Sequence, residues 1–546
     1  MEATLTQTWN TGNTASRRWL VYLMPSLTDF AFILPIVLLF QFLGGTGRLL
    51  ADGDTGWHIR TGDWILQHRA VPTVDLFSFT KQGQPWFAWE WGWDVLFSLV
   101  HSRWGLGGVA FVNVLVLGLV SALLFRLIRR VSNSDILSFL VTVVAMYSSA
   151  VHWLARPHLF SWIFILLFSH VIFSAQEGNR KSLLWLAPLM LFWVNLHGGF
   201  FVGILLLATT AIGEFASALS RQSGLRAAWR SAWPYTVSTL TCSFLTFVNP
   251  YGWQLHHHIF EYLGDSKLMD NIAEFQTLSF HSPGMRFFEA MLVLGLGAAY
   301  WCFTRSEFAA SLSIVLWAHF ALFSGRNIPI FVFMAAPWVA RMCAETIEIL
   351  DWGSRFAEIR SSIARACLEF RPLERIPRSY VSSVCAMLIV AVALLSGMPG
   401  FAREFNPENF PVKALTAIRN SKFNHLFTTD QWGDYLIYQF YPSQSVYVDG
   451  RSDFYGSKFF EGYQHILSAQ FDWEQRLQQY RIDAVLVRPD APVASVLKSS
   501  RNWKVLSDDG SAILFGANSV GKNFGICSNK QQVSTAPGRK KEGLEL

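Results

Sequence analysis

The chain has 546 residues, of which 52% are hydrophobic and 15% aromatic, with a mean hydropathy of +0.29. Only 15% are charged, against about 25% in soluble globular proteins, so composition excludes an ordinary soluble enzyme and points to a polytopic membrane protein. The net charge of +6 sits in basic clusters between apolar runs, which is the positive-inside pattern and not a nucleic-acid surface.

A spanning helix needs about 20 mainly apolar residues. Candidates lie near residues 30–49, 106–127, 136–154, 159–174, 183–194, 200–219, 233–248, 287–303, 308–323, 328–342 and 381–398, about eleven in all. Arg17 and Arg18 precede the first without a convincing cleavage site, so it reads as a retained signal anchor. With that end inside, alternate connections collect Arg126, Arg129 and Arg130, then Arg180 and Lys181, then Arg221, Arg226 and Arg230, then Arg305, and last the stretch from Arg341 to Arg378. The expected topology is N-terminus cytoplasmic and C-terminal domain extracytoplasmic, in a bacterial inner membrane. The six cysteines include no Cys-x-x-Cys pair and outline no disulfide framework.

The first outer connection, residues 50–105, is rich in tryptophan. Its periodicity predicts two helices lying along the membrane surface, near 57–68 and 89–101. Residues 1–400 form the expected membrane domain. From 401 to 520 the composition becomes that of a soluble α/β domain. Strands are predicted near 425–429, 445–448, 484–487, 504–506 and 512–515, and helices near 432–440, 458–469, 473–480 and 493–497. The polar tail 521–546 reads as disordered.

The unusual polar motifs all fall in outer connections. Asp52-Gly53-Asp54 places two carboxylates around a glycine directly after the first span. Such a pair can supply a general base, or hold Mg2+ or Mn2+ if a divalent ion is used; a plain turn is the alternative. Trp57, His58 and Arg60 follow within one short stretch. Arg156-Pro157-His158 offers a guanidinium that can grip phosphate bidentately or merely snorkel to headgroups, and the same choice applies to Arg326. Asn195-Leu196-His197-Gly198-Gly199 allows close backbone approach to a ligand, with His197 as binding group or structural histidine. Asn249-Pro250-Tyr251-Gly252 reads as a helix stop, and Glu274 is the clearest acid of its loop. His256-His257-His258 cannot converge on one metal, because consecutive helical side chains diverge. Asp29 reads as a structural residue at the inner membrane edge, and Asp449-Gly450-Arg451 as a turn.

The stretch from Asp52 to Phe79, with Asp-x-Asp-x-x-Trp-His at its head, resembles a group of bacterial membrane proteins. Glu90-Trp91, Arg156-Pro157-His158, residues 195–199, residues 249–252 and Val448-Asp449-Gly450-Arg451 resemble the rest of that group's pattern. The group is similar in plan to the glycosyltransferase C superfamily. That resemblance implies a transferase using a polyprenyl-phosphate-linked sugar, with an acidic first-loop motif and often an outer C-terminal domain. Asp52 or Asp54 would occupy the acidic site. Two positions depart: Gly56 stands where the group often has an aromatic, and the second outer connection carries no carboxylate, which weakens the case for a metal.

The expectation is therefore an inverting sugar transferase, with Asp54 or Asp52 as base. His58, Arg60, Glu90, Arg156, His158, His197, Glu274 and Arg326 are the candidate substrate-binding residues. Partners would be the bilayer, the lipid-linked donor and a glycan, lipid or protein acceptor. A lipid or oligosaccharide transporter and a non-catalytic envelope assembly protein are the rival readings. A common outer site joining Asp54, Arg156 and His197 would favour the enzyme.

Overall fold

The computed structural model describes residues 23–349 (except 283), 361–362 and 380–518 (except 422). The predicted tail 521–546, Arg17, Arg18 and the basic stretch from Arg355 to Arg378 lie outside the described residues.

The membrane part is a helical bundle. In chain order it contains α1 (Leu27–Phe42), α2 (Asp54–His68), α3 (Trp91–Ser132), α4 (Asp135–Ser149), α5 (His158–Gln176), α6 (Leu186–Val194) and α7 (Phe200–Ser220). Then follow α8 (Leu225–Leu245), α9 (Trp253–Gly264), α10 (Ser266–Met269), α11 (Met285–Thr304), α12 (Phe308–Phe323), α13 (Ile328–Ile349) and α14 (Val381–Ser396). Among the described residues, six helical segments are long and apolar enough to cross a membrane: Trp91–Ser132, Asp135–His152, His158–Gln176, Phe200–Ser220, Met285–Thr304 and Gly325–Ile349. The apolar helices α1, α12 and α14 have 16 residues each, which is only about 24 Å of rise. The count of about eleven spans is not confirmed among the described residues. The run at 183–194 is a 3-10 turn followed by a nine-residue helix, too short to cross.

The first connection folds as expected from its periodicity. α2 covers the first predicted surface helix. The second is the leading part of α3, which turns at Gly105 (φ 60, ψ −160) before its long apolar run begins. Glycine is the residue that reaches this conformation without steric cost. Asp29 caps α1 with Ser26 in a reciprocal capping box and also accepts from the Ser383 hydroxyl of α14 at 2.6 Å, so its structural reading holds.

The C-terminal domain adds α15 (Leu415–Ser421), β1 (Leu426–Phe427), α16 (Asp430–Phe440), α17 (Ser452–Leu467), α18 (Trp473–Gln479), β2 (Ala484–Val487), α19 (Pro492–Ser499), β3 (Trp503–Asp508) and β4 (Ile513–Ala517). The sheet order is β1-β2-β4-β3, with β1 parallel to β2 and the other pairs antiparallel. The strand expected at 445–448 is not in this sheet. Val446 instead exchanges backbone hydrogen bonds with the first connection, to Phe77 O and from Phe79 N. Its backbone pairing is spent on holding two distant parts of the chain together.

Candidate active site

α2 begins at Asp54, and its first turn is pressed against α16 of the C-terminal domain. Glycines set that distance. A Cβ on Gly53 would meet the Gln431 carbonyl oxygen at 2.4 Å, and one on Gly56 would meet Tyr438 Cβ at 2.8 Å. The glycine at position 56, odd beside the resembling group, is where α16 packs. Arg60 completes the contact by donating from Nε and Nη2 to the Tyr438 carbonyl at 2.9 and 2.6 Å.

Arg156, in the turn before α5, lies at the centre of the polar cluster. Its guanidinium pairs with Asp52 at 3.1 Å, with Asp54 at 2.5 Å, and with Glu274. Burial opposes its charge, but Asp54, Glu274 and Asp52 together keep it protonated. Glu274, despite burial, is held down to about 2, with Arg156 the leading cause. Asp54 behaves oppositely. Burial outweighs Arg156, and the charges of Asp52 and Glu274 assist, so its carboxyl is pushed up to about 7. Its Oδ1 is buried without a hydrogen-bond partner.

Beyond this centre lie Glu90 and His197. Gly199 N–H donates to His197 Nδ1 at 2.9 Å, so the neutral ring carries its proton on Nε2, which lies 3.7 Å from Glu90 Oε1. Burial, then Arg326 and Arg156, lowers His197 to about 3, and burial followed by Asp453 raises Glu90 to about 8. Burial thus favours the neutral form of both. Arg326 stacks on Phe275 at 4.7 Å and acts electrostatically on Glu90, His197 and Glu274. It forms no ion pair among the described residues. Arg48 lies beside Asp52 and donates to the Val151 carbonyl at 3.0 Å.

The structure thus gathers Asp52, Asp54, Arg156 and Glu274 by direct contact, with Glu90, His197 and Arg326 around them. It does not bring the other three candidates into this centre. His58 pairs with Asp94 at 2.6 Å and stacks on Trp57. Arg60 is spent on α16. His158 Nε2 contacts the His152 carbonyl at 2.8 Å and the ring packs on Trp162. Each is held by partners outside the centre, Arg60 also by Asp63 one turn along α2 at 2.8 Å. The three consecutive histidines diverge as expected, onto Thr246, Glu261 and Asp453.

The carboxylates that would hold Mg2+ or Mn2+ are turned onto Arg156. Among the described residues, no group of three or more His, Cys, Asp or Glu side chains is placed to hold a metal ion. Asp52 and Asp54 as found do not form a cation site.

Sequence reading missed Asp434, Asp94 and Asp75. Asp434, in α16, faces Asp54 across Gly450, and nothing in its local sequence marks it. Asp449-Gly450-Arg451 does more than turn the chain. Arg451 grips Asp449 at 2.6 Å and Asp75 of the first connection at 2.7 Å, all three buried. An open groove of about 540 Å3 runs beside Glu90, lined mainly by Trp91, Leu191, Phe192, Leu196, Val248 and Pro250.

The polar residues share one end of the bundle. Arg156 precedes α5 and Glu177 follows it; Arg326 precedes α13 and Arg341 lies near its far end. At that opposite end the basic residues pair quietly, Arg129 with Asp135, Arg130 with Glu177 and Arg341 with Glu307.

Solved structures share this arrangement of a helical bundle and a C-terminal domain. The Archaeoglobus fulgidus oligosaccharyltransferase tethered to an acceptor peptide containing the NVT sequon overlaps with a TM-score of 0.54 at 12% identity, over 87% of this chain and 70% of that one. The archaeal oligosaccharyltransferase AglB from the same organism, in complex with an inhibitory peptide and a dolichol-phosphate, gives 0.54 at 13%, over 94% and 76%. ArnT from Cupriavidus metallidurans bound to undecaprenyl phosphate overlaps more loosely, at 0.46 and 13%, over 92% and 99%. No family model and no curated relative matches the sequence. The chain is a helical membrane protein that shares the fold of the archaeal oligosaccharyltransferases.

Proposed function

We propose that the chain is an integral membrane glycosyltransferase that moves a sugar from a polyprenyl-linked donor to an extracytoplasmic acceptor hydroxyl, with inversion. The observation that carries this reading is the convergence of Asp54, Arg156 and His197 at one end of the bundle, where a first-loop carboxyl has been lifted to about 7 by burial first and then by neighbouring carboxylates. A general base works best when its pKa is near the operating pH. The fold shared with an oligosaccharyltransferase solved with a dolichol-phosphate, together with the resemblance of the motifs to the glycosyltransferase C superfamily, supports the donor class.

Asp54 takes the acceptor proton as the hydroxyl oxygen attacks the anomeric carbon. Asp52 accepts from Asp54 N–H at 3.0 Å and helps orient that turn. Arg156 is already saturated by three carboxylates, so its role is to hold them. The phosphate therefore falls to Arg326, whose guanidinium has only the Phe275 ring as a described partner. Negative charge grows on the leaving phosphate in the transition state, and a fixed cation in a partly dry site stabilises it there. The apolar groove beside Glu90 takes the first part of the polyprenyl chain.

Mass spectrometry of lipid-linked sugars and envelope glycans, with and without the gene, is the direct test. A lipid-linked sugar that accumulates on deletion, with a matching glycan modification lost, is the expected outcome. Unchanged lipid and glycan profiles would overturn the reading.

A further inference from the structure

Two acids face each other where the C-terminal domain meets the first loop. Asp54 is 3% exposed and Asp434 is fully buried. A Cβ on Gly450 would lie 2.1 Å from Asp54 Oδ1 and 2.8 Å from Asp434 Oδ2, so both oxygens crowd the same small space, which only a glycine leaves open. Neither oxygen has a donor partner, yet the two carboxyls are within hydrogen-bonding reach of each other. The remaining oxygens are engaged: Asp54 Oδ2 by Arg156, and Asp434 Oδ1 by Gly450 N–H at 2.8 Å.

Two ionised carboxylates cannot occupy such a contact, because neither has a hydrogen to donate and their charges repel. One proton between them removes both problems. The neighbourhood favours keeping it. Asp52 and Glu274 face Asp54 from one side, and Asp449 and Asp430 act on Asp434 from the other. Arg156 is the opposing cation, and it sits on the Asp54 side only. Arg451 is committed to Asp449 and Asp75.

We propose that Asp54 and Asp434 share a single proton across the interface between the first loop and the C-terminal domain, making Asp434 a positioning residue for the base. The pair carries one negative charge before reaction. During transfer the acceptor O–H proton passes to the pair, the acceptor oxygen bonds to the anomeric carbon, and the anomeric C–O bond breaks with its electrons on the lipid phosphate. The pair then holds two protons and releases one to solvent after the products leave. Asp434 thereby holds the Asp54 carboxyl in place at the interface, and the active site is incomplete without the C-terminal domain. The catalytic step rests on the transferase reading above; the shared proton does not.

Infrared difference spectroscopy of the purified full chain near pH 7 tests the sharing directly. With the Glu90 contribution subtracted by use of a Glu90→Gln background, the remaining protonated-carboxyl C=O band is expected to shift or disappear in both Asp54→Asn and Asp434→Asn, since each variant removes one of the two oxygens that share the proton. A band unchanged in both, or altered in only one, overturns the sharing. Asp434→Ser serves if the Asn variant does not purify as a monodisperse species. In the transferase assay Asp434→Asn is expected to lower kcat at least about tenfold and to move the acidic limb of the pH profile up, because the shared proton no longer stabilises the Asp54 carboxylate. A purely structural role would lower the amount of active protein without moving that limb. If the band behaves as expected and the wild type consumes no lipid-linked sugar, the pair stands and the transferase reading fails.

Discussion

At the scale of single residues, the site is governed by how many carboxylates one guanidinium must serve. Arg156 faces Asp52, Asp54 and Glu274. Asp54 keeps its proton more tightly than Glu274, because burial penalises the charge that Arg156 can only partly offset there. Replacing Asp54 with Asn is expected to lower transfer by about 10²- to 10⁴-fold with expression retained, measured as product formed per mole of purified protein. Full activity in both Asp52→Asn and Asp54→Asn would sink the base assignment. Arg326→Ala should raise the KM for the lipid-linked donor about tenfold or more, the loss of one charge-assisted contact, and Arg326→Lys should recover part of it. The pH dependence has a definite sign. Asp54 binds its proton more tightly when folded, about 7 against an ordinary 3.8. Its contribution to stability is complete below about pH 4 and is lost as pH rises through 7, whereas kcat/KM should rise across the same upper range as the base ionises. Activity that is flat from pH 5 to about 8 would contradict this assignment.

At the scale of elements, the first connection and the C-terminal domain hold each other in place. α2 meets α16 through Gly53 and Gly56, and Val446 bridges to the first connection where a sheet strand was expected. Arg451 ties Asp449 to Asp75 with its side chain buried. Removing that guanidinium leaves two buried acids uncompensated. Arg451→Ala is therefore expected to destabilise the protein by about 3–5 kcal/mol, read as a lower melting temperature in detergent. A melting curve unchanged from wild type would mean that the network contributes no net stability. The pattern of surface helices was legible in sequence because amphipathic period is local. The pairing of residues 445–448 was not, because a β-prone segment carries no label for its partner.

At the scale of the whole molecule, every helix that carries a site residue at one end carries paired basic residues or plain linkers at the other. With the basic ends cytoplasmic, as the charge alternation suggests, the carboxylate cluster and the C-terminal domain lie outside. Single cysteines introduced on the exposed face of the C-terminal domain, for instance at Ser499, should react with a membrane-impermeant maleimide in intact spheroplasts, while one at Gln222 should not. The reverse labelling would invert the proposed topology. The span count shows the limit of reading hydropathy alone. Apolar runs at 183–194 and 233–248 have the composition of membrane segments, but the first breaks into a 3-10 turn and a short helix and the second becomes part of α8.

Composition, hydropathy and the positions of charged residues, all properties of the chain itself, were enough to determine the membrane class, the helices of the first connection and the small C-terminal α/β part, and they singled out Asp52, Asp54, Glu90, Arg156, His197, Glu274 and Arg326 as candidates. Tertiary structure alone decided which of these meet. It turned His58, Arg60 and His158 to local partners, and it brought Asp434 from 380 positions beyond Asp54 into its contact. The physical reason is that a charge's behaviour in a partly dry site is set by its neighbours in space, and those neighbours come from loops whose sequence separation says nothing about their distance.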